Sequence, residues 1–159
     1  MPGVPDPIYV AARRALLNAL DALQPHLEAL VLVGAQAVYL HAGEGDLAVA
    51  PATTDGDVAI DPARLGPSPI LEDALREADF ERQPAVVGIW QTSLNVEGIA
   101  RRVQVDLLVP ASLGGPGRRG ARIPPHGRAS HERSLDWKAR SWIETRALSR
   151  RWTPRTTAR

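Results

Sequence analysis

A short apolar run that ends at a glycine constrains the fold of this chain more strongly than any other feature. Residues 29–33 read Ala-Leu-Val-Leu-Val, and Gly34 follows them directly. Five consecutive apolar residues bounded by a glycine predict a buried strand, and residues 35–41 predict a short helix after it. The domain is therefore expected to contain a sheet, with the chain passing from strand to helix at Gly34.

Apolar periodicity predicts that helices and strands alternate from the N-terminus to Pro110. Apolar residues three or four positions apart predict two further helices, over residues 7–24 and 69–79. Asp6 and Pro7 suit the N-cap and the first turn of the earlier helix. Alternating residues predict three further strands, over residues 54–60, 85–94 and 101–109. The resulting order, α-β-α-β-α-β-β, is that of a mixed α and β domain, with Gly98 in a hairpin link between the last two strands.

Basic charge is concentrated after Pro110. Residues 1–110 carry 15 acidic and 7 basic side chains, a net charge of −8, whereas residues 111–159 carry 3 acidic and 12 basic ones, a net charge of +9. The second segment is rich in Gly, Pro and Arg. We therefore predict a core over residues 1–110 and a basic, partly disordered tail over residues 111–159, with a weak helix at 130–150 and disorder at 152–159. Such a tail either contacts nucleic acid or only keeps the chain soluble.

Cysteine content and the lengths of the apolar runs restrict other functions. The chain has no cysteine, so a disulfide framework and a thiolate zinc site are excluded. The first 30 residues lack the basic and apolar regions of a signal peptide, and no stretch reaches the roughly 18 apolar residues of a membrane span. We expect a soluble cytoplasmic protein that does not bind membranes.

Two aspartates lie close together on the strand predicted at residues 54–60. Because side chains two positions apart on a strand share a face, Asp55 and Asp57 project together, while Gly56 points toward the core. Two adjacent carboxylates repel each other. A bound divalent cation removes that repulsion, and oxygen ligands suit Mg²⁺. The alternative is that both aspartates are ordinary turn and strand-edge residues.

A third aspartate interrupts the apolar strand predicted at residues 101–109. Asp106 has valine before it and leucine after it, and aspartate is seldom buried without a partner. Gln104 and Asp106 share a face of this strand. If the strand neighbours that of Asp55 and Asp57, three carboxylates meet in a two-metal site. One ion would then activate an attacking hydroxyl, and the other would hold a triphosphate.

Gly34 and two threonines offer contacts for phosphate. A glycine between a strand and a helix lets the backbone approach a ligand closely, and the following helix presents free N–H groups to an anion. A plain strand-to-helix turn is the alternative. Thr53 and Thr54 precede the acidic pair and can donate to phosphate, although β-branched residues entering a strand explain them equally well.

Together these residues resemble the nucleotidyltransferase superfamily of DNA polymerase beta. The resemblance rests on three motifs in the family's order: Leu32-Val33-Gly34-Ala35, Thr54-Asp55-Gly56-Asp57-Val58 and Val105-Asp106-Leu107. The string from Val33 to His41, followed by Ala52-Thr53-Thr54-Asp55, is similar to a bacterial branch near the AbiEii-type toxins and the aminoglycoside nucleotidyltransferases. The resemblance covers about half the chain. It implies an α+β fold, a mixed sheet with helices on one side.

The resemblance also implies a role for each motif. In the family, the glycine turn holds the nucleotide phosphates, the paired acids bind two metal ions, and the third acid binds one metal and assists the acceptor hydroxyl. By position, the nucleotide-binding residues are Gly34, Ala35 and Thr54. By the same correspondence, the catalytic and metal-binding residues are Asp55, Asp57 and Asp106. Two Mg²⁺ ions and a nucleoside triphosphate are therefore implied.

The chain departs from the family pattern in three places. Ala35 replaces the usual glycine or serine, so a side-chain contact to phosphate is lost. Residues 43–52, a loop containing glycine and proline, lengthen the link between Gly34 and the acidic pair. Only 49 residues follow Pro110, and they lack the apolar content of the family's C-terminal helical region. These departures favour a truncated or divergent copy.

Three functions are therefore open at the level of sequence. The first is transfer of a nucleoside monophosphate from a nucleoside triphosphate to an acceptor hydroxyl, with release of pyrophosphate; the acceptor is an RNA end, a protein side chain or a small molecule. The second is a catalytically inactive nucleotide- or partner-binding module of the same fold. The third is a non-enzymatic RNA-binding protein that acts through the basic tail. Magnesium-dependent nucleotide binding that needs Asp55 separates the first two from the third, and turnover separates the first from the second.

Overall fold

A computed structural model describes residues 6–42, 53–110, 121–127 and 131–133. Within these residues the chain forms helices and a mixed sheet, so the prediction of an α+β class is confirmed. The helices are α1 (Pro7–Ala22), a 3₁₀ helix (Gln24–Ala29), α2 (Gly34–Ala42) and α3 (Leu71–Glu77). The strands are β1 (Leu30–Val33), β2 (Asp55–Ile60), β3 (Glu81–Arg82), β4 (Ile89–Val96), β5 (Ile99–Pro110) and β6 (His131–Arg133). In the described part of the chain, no helix combines the length and the apolarity needed to cross a membrane.

The first helix begins as the sequence predicts and ends slightly earlier. The Asp6 side chain caps α1 by accepting a hydrogen bond from the Ile8 N–H at 2.8 Å, and Pro7 occupies the first turn. The α-helix ends at Ala22 rather than at residue 24, and the chain continues as the 3₁₀ helix. Pro25 accounts for the change, because a proline disfavours the α conformation at the residue before it.

The sheet has the order β1-β2-β5-β4-β3, and β6 pairs with the end of β5. The β2–β5 and β5–β6 pairs are parallel, and the other pairs are antiparallel. The predicted order of elements lacks β3 and β6, which have two and three residues. Strands so short leave no readable alternation in a sequence. The strand predicted from residue 85 begins at Ile89.

The predicted hairpin between β4 and β5 is confirmed, and Gly98 lies in its turn. Val96 pairs with Ile99, so two residues form the link. Both have positive φ, 54° at Glu97 and 78° at Gly98, as a two-residue type I′ hairpin turn requires. The Asn95 side chain accepts a hydrogen bond from the Gly98 N–H at 2.9 Å and stabilises the turn.

Helix α1 covers one face of the sheet. It contacts β2, β4 and β5, and Leu16 lies so close to Gly56 that a Cβ added there would be 3.0 Å from it. The strand residues of this face are completely buried: Val58, Trp90, Val105 and Leu107. Helix α1 also contacts α3, and Tyr9 of α1 meets Tyr39 of α2 edge-to-face at a centroid distance of 5.8 Å. The other face of β2 and β5 carries Asp55, Asp57 and Asp106 together with the buried residues Ala59 and Leu108.

A segment beyond Pro110 belongs to this core, which differs from the expectation that residues 111–159 lie largely outside it. Ala121 and Ile123 are buried in the main hydrophobic cluster. The His126 ring accepts a hydrogen bond from the Leu71 N–H at 3.2 Å and donates one to the Gly66 carbonyl at 2.7 Å. Two apolar residues among glycines, prolines and arginines form no periodic pattern, so the sequence did not reveal this packing. Residues 131–133, the described part of the helix predicted at 130–150, form strand β6 instead. The stretches at 43–52, 111–120, 128–130 and 134–159 lie outside the described residues.

Candidate active site

The three aspartates singled out by the sequence share one face of the sheet. Strands β2 and β5 are parallel neighbours in which Asp57 pairs with Asp106 and Asp55 pairs with Gln104. Cross-strand partners project to the same side of a sheet, and residues two apart on a strand do so as well. Asp55, Asp57 and Asp106 are all half-buried. Direct pairing of β2 with β5 thus brings Asp55 and Asp106 to the same region of the sheet, although they are far apart in the sequence.

This carboxylate face changes character along the strands. On one side of Asp57 and Asp106, the next pair is Ala59 and Leu108, which are 1% and 2% exposed. On the other side the face becomes polar, because Gln104 pairs with Asp55 on β2 and with Gln91 on β4. The acidic cluster therefore sits at a boundary between an apolar and a polar region. Such a boundary lowers the local dielectric on one side while leaving the other open to polar ligands.

Gly34 lies directly against the carboxylate of Asp57. Val33 pairs with Asp57 at the end of β1, which brings the turn into α2 beside β2. A Cβ added to Gly34 would overlap Asp57 Oδ2, and the φ of Gly34 is +72°. Both the backbone conformation and the space therefore require glycine at this position. The N-terminus of α2 consequently opens next to the acidic cluster.

The two threonines before β2 differ in their surroundings. The hydroxyl of Thr53 is largely buried and donates a hydrogen bond to Asp55 Oδ1 at 2.8 Å, so Thr53 orients that carboxylate. Thr54, which the family resemblance assigns to nucleotide binding, is exposed. Ala35, the other position assigned to the nucleotide, is the half-buried second residue of α2. The sequence did not distinguish the role of Thr53 from that of Thr54.

Gln36 is a buried polar residue near the acidic cluster that the sequence analysis missed. It lies in the first turn of α2 and is 1% exposed, and within the described residues neither its amide nitrogen nor its amide oxygen has a hydrogen-bond partner. An unpaired buried amide costs free energy. Helical side chains lean toward the helix N-terminus, which here means toward Gly34 and Asp57. The sequence did contain a signal for this residue, because Gln36 is a single glutamine among mostly apolar residues of α2.

A shared face is not the same as a preformed metal site. In the described part of the chain, no group of three histidine, aspartate or glutamate side chains is arranged to hold a metal ion. The hydrogen bond from Thr53 engages one oxygen of Asp55. The groups that would supply oxygen ligands to a cation at this place are Asp55, Asp57 and Asp106.

The chain was compared with protein-family models, with curated proteins and with solved structures, and no match was found. A functional assignment therefore depends on the side chains of this molecule and on the motifs that they form.

Proposed function

We propose that this protein is a metal-dependent nucleotidyltransferase. The observation that carries the proposal is the pairing of Asp57 with Asp106 on adjacent parallel strands, with Asp55 on the same face and Gly34 against the Asp57 carboxylate. The order glycine turn, paired acids and third acid resembles the superfamily motif. On the two strands that flank β5, the register partners of Asp106 are Asp57 and Ile89.

The residues present fit a magnesium site. All three candidate ligands are carboxylates, the ligand type that Mg²⁺ prefers. Asp57 and Asp106 are directly opposed, and like charges so placed are unfavourable unless something offsets them. We infer that Asp55, Asp57 and Asp106 would hold the ions. When bound, the ions would supply a Lewis acid for the phosphate oxygens and neutralise the charge on pyrophosphate.

The reaction proposed is nucleotidyl transfer. The hydroxyl oxygen of the acceptor bonds to the α-phosphorus, and the bond from that phosphorus to the bridging oxygen breaks. Pyrophosphate leaves with the electron pair, and the hydroxyl proton passes to a carboxylate, for which Asp106 is the candidate. The free N–H groups of the first turn of α2 bind the anionic phosphates, and Gly34 lets them approach. Thr53 holds the orientation of Asp55.

The inactive module remains the second candidate, because Ala35 stands where the family has glycine or serine. An inactive module of this fold would bind a nucleoside triphosphate with Mg²⁺ and release no pyrophosphate. Turnover therefore separates the two candidates.

The proposal is tested by calorimetric titration of ATP, GTP, CTP and UTP with and without Mg²⁺. We expect the wild-type protein to bind at least one triphosphate only with Mg²⁺, and Asp55→Asn or Asp57→Asn to lose this binding while the fold is retained. Asp21→Asn is the matched control, since Asp21 is exposed at the far end of α1, and it should bind as the wild type does. Undiminished Mg²⁺-dependent binding by Asp55→Asn would contradict the proposal. Pyrophosphate release is then measured with candidate acceptors.

A further inference from the structure

Two buried histidines meet at the loop that leads into α3. His26 lies in the 3₁₀ helix and His126 in the segment at residues 121–127, and each residue is 2% exposed. Their rings pack edge-to-face at a centroid distance of 5.4 Å. Histidine is the side chain whose charge ordinarily changes between about pH 5 and pH 8. The hydrogen bonds of the two rings therefore decide whether this part of the fold tolerates a charge.

The hydrogen bonds of His126 require its neutral form. The Leu71 N–H donates to Nδ1 at 3.2 Å, so this nitrogen carries a lone pair. Nε2 lies 2.7 Å from the carbonyl oxygen of Gly66 and therefore carries the ring proton. A second proton, on Nδ1, would face the Leu71 N–H, and the hydrogen bond between the two nitrogens would be lost.

The same hydrogen bond caps α3. Leu71 is the first residue of this helix, and Ile70 before it makes no side-chain cap hydrogen bond. The free N–H groups at the start of a helix need an acceptor, and His126 supplies one from 55 positions later in the sequence. A protonated ring would replace that acceptor with a positive charge at the positive end of the helix dipole. Both effects oppose protonation of His126 while the segment is attached.

His26 has no partner for a second proton either. Its Nε2 donates to the carbonyl oxygen of Pro69 at 2.7 Å. Its Nδ1 is buried without a hydrogen-bond partner within the described residues, and Gly66 packs beside it. A proton on this nitrogen would leave a buried donor unpaired and a charge next to His126. The two rings therefore hold the loop at residues 66–71 between them in their neutral forms.

No ion pair of the described residues includes either ring. The charged residues on the 3₁₀ helix, on the loop, in the first turn of α3 and in the segment itself are exposed or engaged with other groups: Glu28, Asp61, Arg64, Glu72, Asp73 and Arg122. The titratable group in contact with His126 is His26. A charge on either ring would therefore meet a neighbour that can only oppose it.

We propose that the pair of His26 and His126 is a proton-sensitive clamp, which holds residues 121–127 on the start of α3 at neutral pH and releases them when His126 is protonated. The segment would then be retained by its apolar contacts alone, through Ala121 and Ile123. Protonation of clustered histidines is a known way to switch packed interfaces. This clamp does not depend on the nucleotidyltransferase proposal, since neither histidine is among the candidate site residues.

The clamp is tested on the full chain by amide hydrogen exchange of Leu71, expressed as a protection factor to remove the intrinsic effect of pH. We expect the protection of Leu71 to fall about tenfold or more between about pH 7.5 and about pH 5, because its acceptor is lost. Leu107 is the matched amide, since it donates to the Gly88 carbonyl at 2.8 Å without a histidine. Its protection should change far less.

Two variants locate the sensor. His126→Asn keeps an acceptor oxygen near the place of Nδ1 and does not titrate, so its Leu71 protection should be the same at both pH values. His26→Gln keeps a donor for the Pro69 carbonyl, and it should retain the fall, because His126 supplies the cap of Leu71.

Three results would overturn the clamp: protection of Leu71 that is unchanged by acid, a fall at Leu107 as large as that at Leu71, or a fall that persists in His126→Asn. A pH response that disappears in His26→Gln would overturn the assignment of the release to His126. The wild-type ring gives a test that needs no variant. Nitrogen-15 NMR of His126 at about pH 7.5 should show a proton on Nε2 alone, and a proton on Nδ1 at that pH would contradict the proposal.

Discussion

The two faces of strands β2 and β5 are built from alternate residues of the same segments and serve opposite purposes. On one face, Val58, Val105 and Leu107 are completely buried under α1. On the other, Asp55, Asp57 and Asp106 remain half-buried and carry like charges. A shift of one residue in register would exchange the two sets. The buried apolar set therefore fixes the register that places the carboxylates together.

The contrast shows how this fold accommodates an unfavourable cluster. Burial of apolar area stabilises the sheet by roughly 25 cal/mol per Å², and the covered face supplies that area through α1. Repulsion between partly hydrated carboxylates is smaller, because water screens it. The covered face thus contributes most of the stability, and the carboxylate face is free to hold groups chosen for chemistry. Substitutions on the covered face should therefore change mainly the stability of the fold, and substitutions on the carboxylate face should change mainly ligand binding.

The largest expected effect comes from removing apolar volume on the covered face. Leu107→Ala leaves a cavity against α1 and should lower the free energy of unfolding by about 2–5 kcal/mol. Gln104→Ala is the matched change on the same strand and the opposite face, and it should alter stability by about 0.5 kcal/mol or less. Urea denaturation of both variants measures the difference. Equal losses would mean that the two faces do not divide their roles in this way.

Much of the covered face was predictable from the sequence, because its signal is periodic. The run at residues 29–33 and the alternation at residues 101–109 predicted β1 and β5 to within a few residues. The face shared by Asp55 and Asp57 follows from spacing alone. The pairing of β2 with β5 does not follow from spacing, because no local pattern encodes which strands pair across fifty residues.

What the sequence did not reveal depends on tertiary contacts of single residues. Gln36 is a polar residue that the fold buries. Thr53 differs from Thr54 through its burial and its hydrogen bond to Asp55. His126 is held by the backbone of residues 66–71, more than fifty positions earlier.

The second prediction concerns glycine on the carboxylate face. Gly34 and Gly98 both have positive φ, but a Cβ at Gly98 would meet nothing within 4 Å. Gly98→Ala should therefore cost only the conformational penalty, about 1–2 kcal/mol. Gly34→Ala should cost about 1–3 kcal/mol more, because the new methyl group displaces the Asp57 carboxylate. Thermal unfolding compares the two, and equal costs would show that Asp57 moves aside freely. Mg²⁺-dependent triphosphate binding should be lost in Gly34→Ala and kept in Gly98→Ala.

The smallest expected effect is a gain in stability, whereas the preceding substitutions lower it. It is also the most discriminating of the predictions. Gln36→Leu replaces an unpaired buried amide with an apolar group of similar size, so it should raise the free energy of unfolding by about 1 kcal/mol. That corresponds to a rise in Tm of roughly 2–4 °C for a chain of this length. Gln24→Leu is the control, because Gln24 is exposed and should give no such rise.

The same variant should bind triphosphate more weakly if the Gln36 amide serves the phosphate site at the start of α2. A gain in stability together with a loss of nucleotide affinity would identify Gln36 as a group kept for binding at the expense of the free fold. A gain in Tm with unchanged nucleotide binding would leave Gln36 as a buried polar residue unrelated to the site. A fall in Tm would show that the amide is satisfied in solution and that Gln36 stabilises the fold.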